Sequence, residues 1–188
     1  MLRALSLGLA LLCAAAAVVP AQSATVDDLA KQAEAQSKST VEAVDMLRKA
    51  MVIVSERGKF SFRKALFVER PPQGFGIYAP RKNNVFKIGE KIYVYLEPVG
   101  LIWEKQDGFY RSHATVDYEV RTPGGKVLLG QRNAAALEFK SHEQNQEVMY
   151  QLSLNLSGAQ PGKFILAATC RDTTSGETAS FELPFEIE

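Results

Sequence analysis

Hydrophobic and polar positions take turns along most of this chain. Between Lys87 and Gly100, Ile92, Val94 and Leu96 alternate with Tyr93, Tyr95 and Glu97. A period of two carried by β-branched and aromatic residues predicts a strand that buries one face, and Gly89 and Pro98 punctuate its ends. The same rhythm returns in Tyr110–Arg121, where Ala114, Val116, Tyr118 and Val120 oppose His113, Thr115, Asp117, Glu119 and Arg121. It returns again at Val148–Leu156, at Phe164–Arg171 and at Ala179–Glu188. Shorter apolar runs at Phe60–Glu69, Phe75–Tyr78, Leu101–Glu104 and Lys126–Leu129 complete the set. Turn signals separate them: Pro71-Pro72-Gln73-Gly74, Gln106-Asp107-Gly108, Pro123-Gly124-Gly125, Gly158–Gly162 and Thr174-Ser175-Gly176. Seven to nine short strands with no strong helix between them predict an all-β, antiparallel β-sandwich over residues 59–188. Pro184, at an outward position, predicts an edge for the last strand.

Residues 24–58 follow a different period. Val26, Leu29, Ala33, Thr40, Val44, Leu47, Met51 and Val54 are separated by threes, fours or their sums, a helical stripe. The polar Gln36-Ser37-Lys38-Ser39 predicts a break. Ser39 and Glu42 form a capping-box pattern at the head of the second helix, and Gly58 suits a left-handed cap at its end. Met51–Val54 also reads as a first strand, since four apolar residues in a row do not reveal their period. The stripe is expected to pack across the sandwich or to cap one of its open ends; the alternative is a homodimer through residues 40–56.

The first 23 residues have a cation at Arg3, a Leu/Ala-rich run to Val19, and small residues after Pro20. This is the form of a secretory signal peptide, with cleavage open among Ala21, Ser23 and Ala24. The run is about 16 residues, short of the ~20 that span a bilayer, and Leu12 before Cys13 does not suit a lipoprotein. The expected address is a bacterial periplasm or the cell exterior, with no membrane insertion after signal removal. Without this segment the chain has 21 basic and 21 acidic residues, which offers no electrostatic footprint for nucleic acid. Only Cys170 would then remain, and it has no internal partner to bridge.

The stretch Leu156–Ile187 resembles the end of immunoglobulin- and fibronectin-III-like modules: a leucine, then Gln160-Pro161-Gly162-Lys163-Phe164 opening a strand, then a hairpin into a final alternating strand. The resemblance implies an immunoglobulin-like sandwich. Those modules often carry a tyrosine near this corner; Phe164 stands here, so its hydrogen bond to the backbone is lost. Fold of this kind does not fix function.

Candidate chemistry is sparse. Ser61-Phe62-Arg63-Lys64 matches S-x-x-K but lies in a strand-like run, without the helix start that a serine–lysine pair needs. Gly124-Gly125-Lys126 is a turn. Cys170 shares the parity of Phe164, Leu166 and Ala168 and is expected in the core, where a thiol is inert. His113 and His142 lack the ligand spacing of a metal site, so no metal and no cofactor is expected. Glu90, Glu97, Glu104 and Asp107 cluster in sequence, and a hydrolase of envelope glycans through two of them is the enzymatic alternative. The favoured candidate is an aromatic face: Tyr78, Tyr93, Tyr95 and Trp103, with Arg81 beside them, expected to bind an envelope or periplasmic protein or a glycan. Phe109 and Tyr110 belong to the same aromatic set. An exposed strand edge is the other surface of this module.

Overall fold

A computed structural model describes residues 25–35 and 39–188. The signal-peptide segment 1–23 and most of the polar break lie outside the described residues. Two helices come first, α1 (Val26–Ala35) and α2 (Thr40–Arg57). Nine strands follow: β1 (Ser61–Val68), β2 (Val85–Phe86), β3 (Lys91–Val99), β4 (Glu104–Gln106), β5 (Phe109–Arg121), β6 (Val127–Ser141), β7 (Tyr150–Asn155), β8 (Gly162–Asp172) and β9 (Thr178–Ile187).

The strands form two sheets. The smaller runs β1-β3-β7, and the larger runs β2-β9-β8-β5, with β4 and β6 also paired to β5. β8 and β6 both pair with Ala114–Arg121 of β5, so they lie on opposite sides of it. β6 therefore forms one margin of the larger sheet. The pairing is antiparallel except at one place: Val85 and Phe86 run parallel to Glu186 and Ile187. That departs from the wholly antiparallel arrangement expected. Among the described residues β9 is paired on that side at Glu186 and Ile187, so Pro184 sits next to this pairing, with its carbonyl accepting from Asn84 Nδ2 at 3.0 Å.

The inward faces of both sheets share one core. Phe67, Ile92, Val94, Leu96, Leu152 and Leu154 from the small sheet meet Val116, Val120, Leu166, Ala168, Cys170, Phe185 and Ile187 from the large one. All but Phe67, whose run shows no clean alternation, are at positions the two-residue rhythm assigns inward. Burying such side chains contributes ~1.5–3 kcal/mol apiece, which is why the alternation decides the register. Phe67, Phe86 and Phe185 close one end with edge-on contacts of 5.1–6.0 Å. At the other end the buried carboxylate of Asp172 accepts from the N–H groups of Ile102 (2.9 Å) and Thr174 (2.9 Å), tying the chain after β3 to the β8–β9 turn.

Several local expectations are corrected. Met51–Val54 is helical. Ser39 is the N-cap of α2 but its side chain makes no capping hydrogen bond, and Gly58 is extended at φ −78°, so neither cap takes its expected form. Leu101–Trp103 is not a strand, because Gly100 (φ +81°) turns the chain sharply before it. A Cβ at Gly100 would lie 2.7 Å from the Lys59 carbonyl oxygen, so only glycine fits. Phe75–Tyr78 forms a turn with one isolated bridge rather than a strand. The run at Lys126–Leu129 is the start of a strand more than three times as long, β6. The Asp107-Gly108 hairpin forms as expected, with both residues at positive φ, the backbone of a type I′ turn.

The helices stand beside the sheets rather than across them. α1 and α2 pack on each other through Leu29, Ala33 and Ala50. α2 meets the strand domain at its C-terminal end, where Gly100 N–H donates to Ser55 Oγ (3.2 Å) and Gln144 Nε2 to Glu56 Oε1 (2.9 Å). The expectation that the helical stripe packs on the sandwich is not met: Val44, Leu47, Met51 and Val54 are exposed. No helix among the described residues is long and apolar enough to cross a membrane.

Candidate functional site

The aromatic face is present, and it is closed. Tyr93 and Tyr95 share the outward side of β3 with Glu97, as alternation requires. The segment Glu69–Pro80 then folds back over this side. Glu69 N–H donates to Ala79 O, and Arg81 N–H to Phe67 O, so both ends of the segment are fastened to β1. Under it Tyr95 is fully buried and Glu97 is 1% exposed.

A β-bulge in β1 builds the polar centre of this closure. Phe62 pairs with Pro98 and Lys64 with Glu97, so Arg63 is the extra residue. Consecutive residues of a regular strand point to opposite faces; the bulge lets Arg63 and Lys64 both reach Glu97. Arg63 donates to Glu97 Oε2 through Nε (2.7 Å) and Nη2 (2.6 Å), and Lys64 Nζ lies 3.4 Å from Oε1. The Tyr95 hydroxyl donates to Oε1 (2.7 Å) and accepts from Gly76 N–H (2.8 Å), which pins the folded-back segment. Tyr78 stacks on Tyr95 at 4.2 Å, and its hydroxyl accepts from Lys64 (3.2 Å). The Arg63 guanidinium lies 5.0 Å from the Phe75 ring centre.

Electrostatics follow from these contacts. Burial pushes the Glu97 carboxyl up, but hydrogen bonds from Tyr95 and Arg63 and the charges of Arg63 and Lys64 outweigh it, so its pKa falls below the usual glutamate value. Tyr95 is pushed up to about 12, first by burial and then by the adjoining carboxylate, against the Gly76 hydrogen bond. An ionised carboxylate with every lone-pair direction engaged, and a phenol that stays protonated, make a lock rather than a proton-transfer pair.

The other expected site residues have structural partners too. Arg81 Nη1 meets Glu90 Oε1 (2.6 Å), Nη2 donates to Val85 O (2.7 Å), and the guanidinium covers the Phe86 ring at 4.1 Å. It fastens the turn before β2 instead of facing solvent. Trp103 is buried in the core against Phe139, ring centres 5.7 Å apart. Tyr93 is half-buried, with Lys91 Nζ 5.4 Å above its ring. An open face of Tyr78, Tyr93, Tyr95, Trp103 and Arg81 is therefore corrected: two of the five are buried, and the structure does not bring Trp103 to the others. Phe109 belongs to a separate group, with Lys140 Nζ at 3.9 Å and the His142 ring at 4.4 Å.

The acids are dispersed in role. Glu97 binds Arg63, Lys64 and Tyr95; Glu90 binds Arg81 and the Lys87 N–H; Glu104 and Asp107 are exposed on the β4–β5 hairpin of the other sheet. They share no partner. Cys170 is fully buried, and burial pushes its thiol up to about 12. A groove of about 600 Å³ runs along the outer face of β5, β6, β8 and β9, crossed by Arg121, which meets Glu119 (3.0 Å) and Glu182 (3.2 Å).

What remains open is β6. Its backbone pairs with β5 on one side, and no strand pairs with the other among the described residues. At its start Val127, Leu128 and Leu129 are 49%, 50% and 45% exposed. Midway, Gln131–Ala135 opposes Tyr118–Val116, a bulge in which Asn133 (φ +48°) donates its N–H to Asp117 Oδ1 at 2.7 Å. The bulge ends the edge that starts at Val127; within Val127–Gln131 the register shifts once more, Val120 pairing with Leu129 and Arg121 with Val127, so Leu128 is an extra residue there.

No protein-family model matches this chain, and no curated protein does. Its shape is distantly similar to several solved structures. One is the CARDB domain of a Pyrococcus furiosus protein solved in complex with di-metal ions, an immunoglobulin-like fold (12% identity, 69% of this chain and 86% of that one, TM-score 0.32). Another is the superoxide reductase of Ignicoccus hospitalis (10%, 68% and 82%, 0.36). A third is the alkylpurine DNA glycosylase AlkC of Pseudomonas fluorescens bound to DNA (10% identity, TM-score 0.38), of which this chain spans 46% while 87% of this chain is covered. The likeness is one of weak architecture alone.

Proposed function

We propose that this chain is an exported, non-enzymatic binding module of the bacterial periplasm or envelope, immunoglobulin-like in its two-sheet design, which docks a protein partner by adding a strand to β6. One observation carries the reading: β6 is a 15-residue strand, open along one side, whose first residues put Val127, Leu128 and Leu129 into solvent. An open edge offers N–H and C=O groups for pairing, and side chains on alternate positions select the partner. Many edges are blunted by charge or proline; the Val127–Gln131 run carries neither, and its one irregularity is the extra residue Leu128. The glycan-hydrolase alternative draws no support from Glu97, whose carboxylate is locked among Arg63, Lys64 and Tyr95.

Site-specific photo-crosslinking in the producing cell tests this. A photoreactive residue at Leu128 is expected to give a discrete protein adduct that disappears when Leu129→Lys is added. The same probe at Tyr93 is expected to give none. An adduct at Tyr93 with none at Leu128 would refute docking through β6.

A further inference from the structure

α2 carries an apolar stripe that the described part of its own chain leaves open. Val44, Leu47, Met51 and Val54 recur at spacings of three, four and three, each 40–56% exposed, and Val41 lies a turn earlier. α1 takes another flank: the buried or half-buried positions of α2 include Ala43, Met46, Ala50 and Ile53, which repeat at the same helical spacing on a different side. Among the described residues, the hydrogen bonds between α2 and the strand domain lie at the Ser55 and Glu56 end. The stripe is therefore contiguous and over three turns long, unlike the scattered single apolar residues of an ordinary surface.

We propose that a second copy of this chain seats on the stripe, the two α2 helices packing antiparallel. The stripe is its own complement. Its spacing reads the same in both directions, and so does its order of sizes: Val, Leu, Met, Val. Antiparallel pairing about Lys49 sets Leu47 against Met51 and Val44 against Val54, large against large and small against small. It also places the two helix dipoles head to tail. Each strand domain follows its α2 after only Gly58, Lys59 and Phe60; antiparallel helices put the two domains at opposite ends, whereas parallel ones would crowd them at one end. The two α1–α2 hairpins then make a four-helix bundle. The seam, Val44–Val54, is about one and a half heptads, shorter than a coiled coil that holds alone, so the dimer is reversible. It leaves β6 free in each copy, and so gives the module two docking edges.

Sedimentation equilibrium of the chain as the cell releases it, over a dilution series, reads the association. The expected result is a reversible monomer–dimer equilibrium. Leu47→Glu with Met51→Glu sets carboxylates against each other across the dyad and is expected to weaken it by ~100-fold or more; Leu128→Lys is expected to leave it unchanged. Circular dichroism checks that the variant keeps its helices, and the milder Leu47→Gln with Met51→Gln is the second test should the acidic pair unfold α2. Mixing Val44→Cys chains with Val54→Cys chains under oxidation is expected to give mainly the mixed disulfide. A chain that stays monomeric throughout, a dimer indifferent to both double substitutions, or a predominance of Val44→Cys self-links would each overturn the proposal.

Discussion

Replacing Glu97 by glutamine asks whether the closed aromatic face is held by charge. The substitution keeps the shape and removes the carboxylate. Both carboxylate oxygens face donors: Arg63 at Oε2, Tyr95 and Lys64 at Oε1. A glutamine has one oxygen, so its NH₂ must oppose donors on one side. The Tyr95 hydroxyl cannot simply turn to accept, because it already accepts from Gly76 N–H. A hydrogen bond to a charged group is worth ~1.5–3 kcal/mol net. Arg63 and Lys64 are about half exposed, which discounts the ion-pair part. The expected loss is thus ~2 kcal/mol at neutral pH, or ~4–8 °C in Tm for a domain of this size. The sign of the pH dependence follows from the lowered pKa of Glu97. The native state holds its proton less tightly than the unfolded chain, so the stabilisation is complete above the ordinary glutamate value of 4.5 and is lost as pH falls through the lower folded value. Thermal unfolding of both forms between pH 7 and pH 3 should show a gap that narrows at the acid end. A Tm within 1 °C of the parent at pH 7, or a gap unchanged down to pH 3, would refute the lock.

Other consequences are checked by similar means. Gly100→Ala should lower stability by at least ~2 kcal/mol in urea unfolding, since φ +81° is strained for alanine and its Cβ would strike the Lys59 carbonyl. Asp172→Ala should cost ~2–4 kcal/mol by orphaning the Ile102 and Thr174 N–H groups, with a change in Trp103 fluorescence as the adjoining chain loosens. Val127→Lys with Leu129→Lys should abolish the crosslink from a probe at position 128 yet move Tm by no more than ~2–4 °C, because exposed substitutions rarely exceed ~0.5 kcal/mol each.

The alternating runs were legible because burial on one face leaves a period in the sequence. β3, β5, β7, β8 and β9 all appear where that period is clean, and Cys170 lies in the core where parity puts it. β6 beyond Leu129 was not legible. Gly130, Asn133 and Ala134-Ala135-Ala136 are poor strand formers, and long pairing to β5 overrides their propensity. The parity of Tyr93, Tyr95 and Glu97 was correct, but parity says only that they face away from the core. What covers them depends on a fold-back of twelve residues, Glu69–Pro80, and on a bulge at Arg63, neither of which has a periodic signature. The fold-back did leave a trace: Phe75 and Tyr78 in a proline- and glycine-rich connection are costly to expose, and a long connection between strands commonly packs on something. The helix stripe was legible as a stripe; that it turns from the sheets depends on how α2 leaves toward β1.

Hydroxyl-radical footprinting of the free protein and of its complex with the crosslinked partner tests the central claim most directly. A closed aromatic face and an open β6 edge should leave Tyr95 and Trp103 unmodified in both, and Val127–Leu129 modified in the free protein and shielded in the complex. Rapid modification of Tyr95 in the free protein, or shielding that falls on Tyr93 while Val127–Leu129 stays reactive, would contradict it.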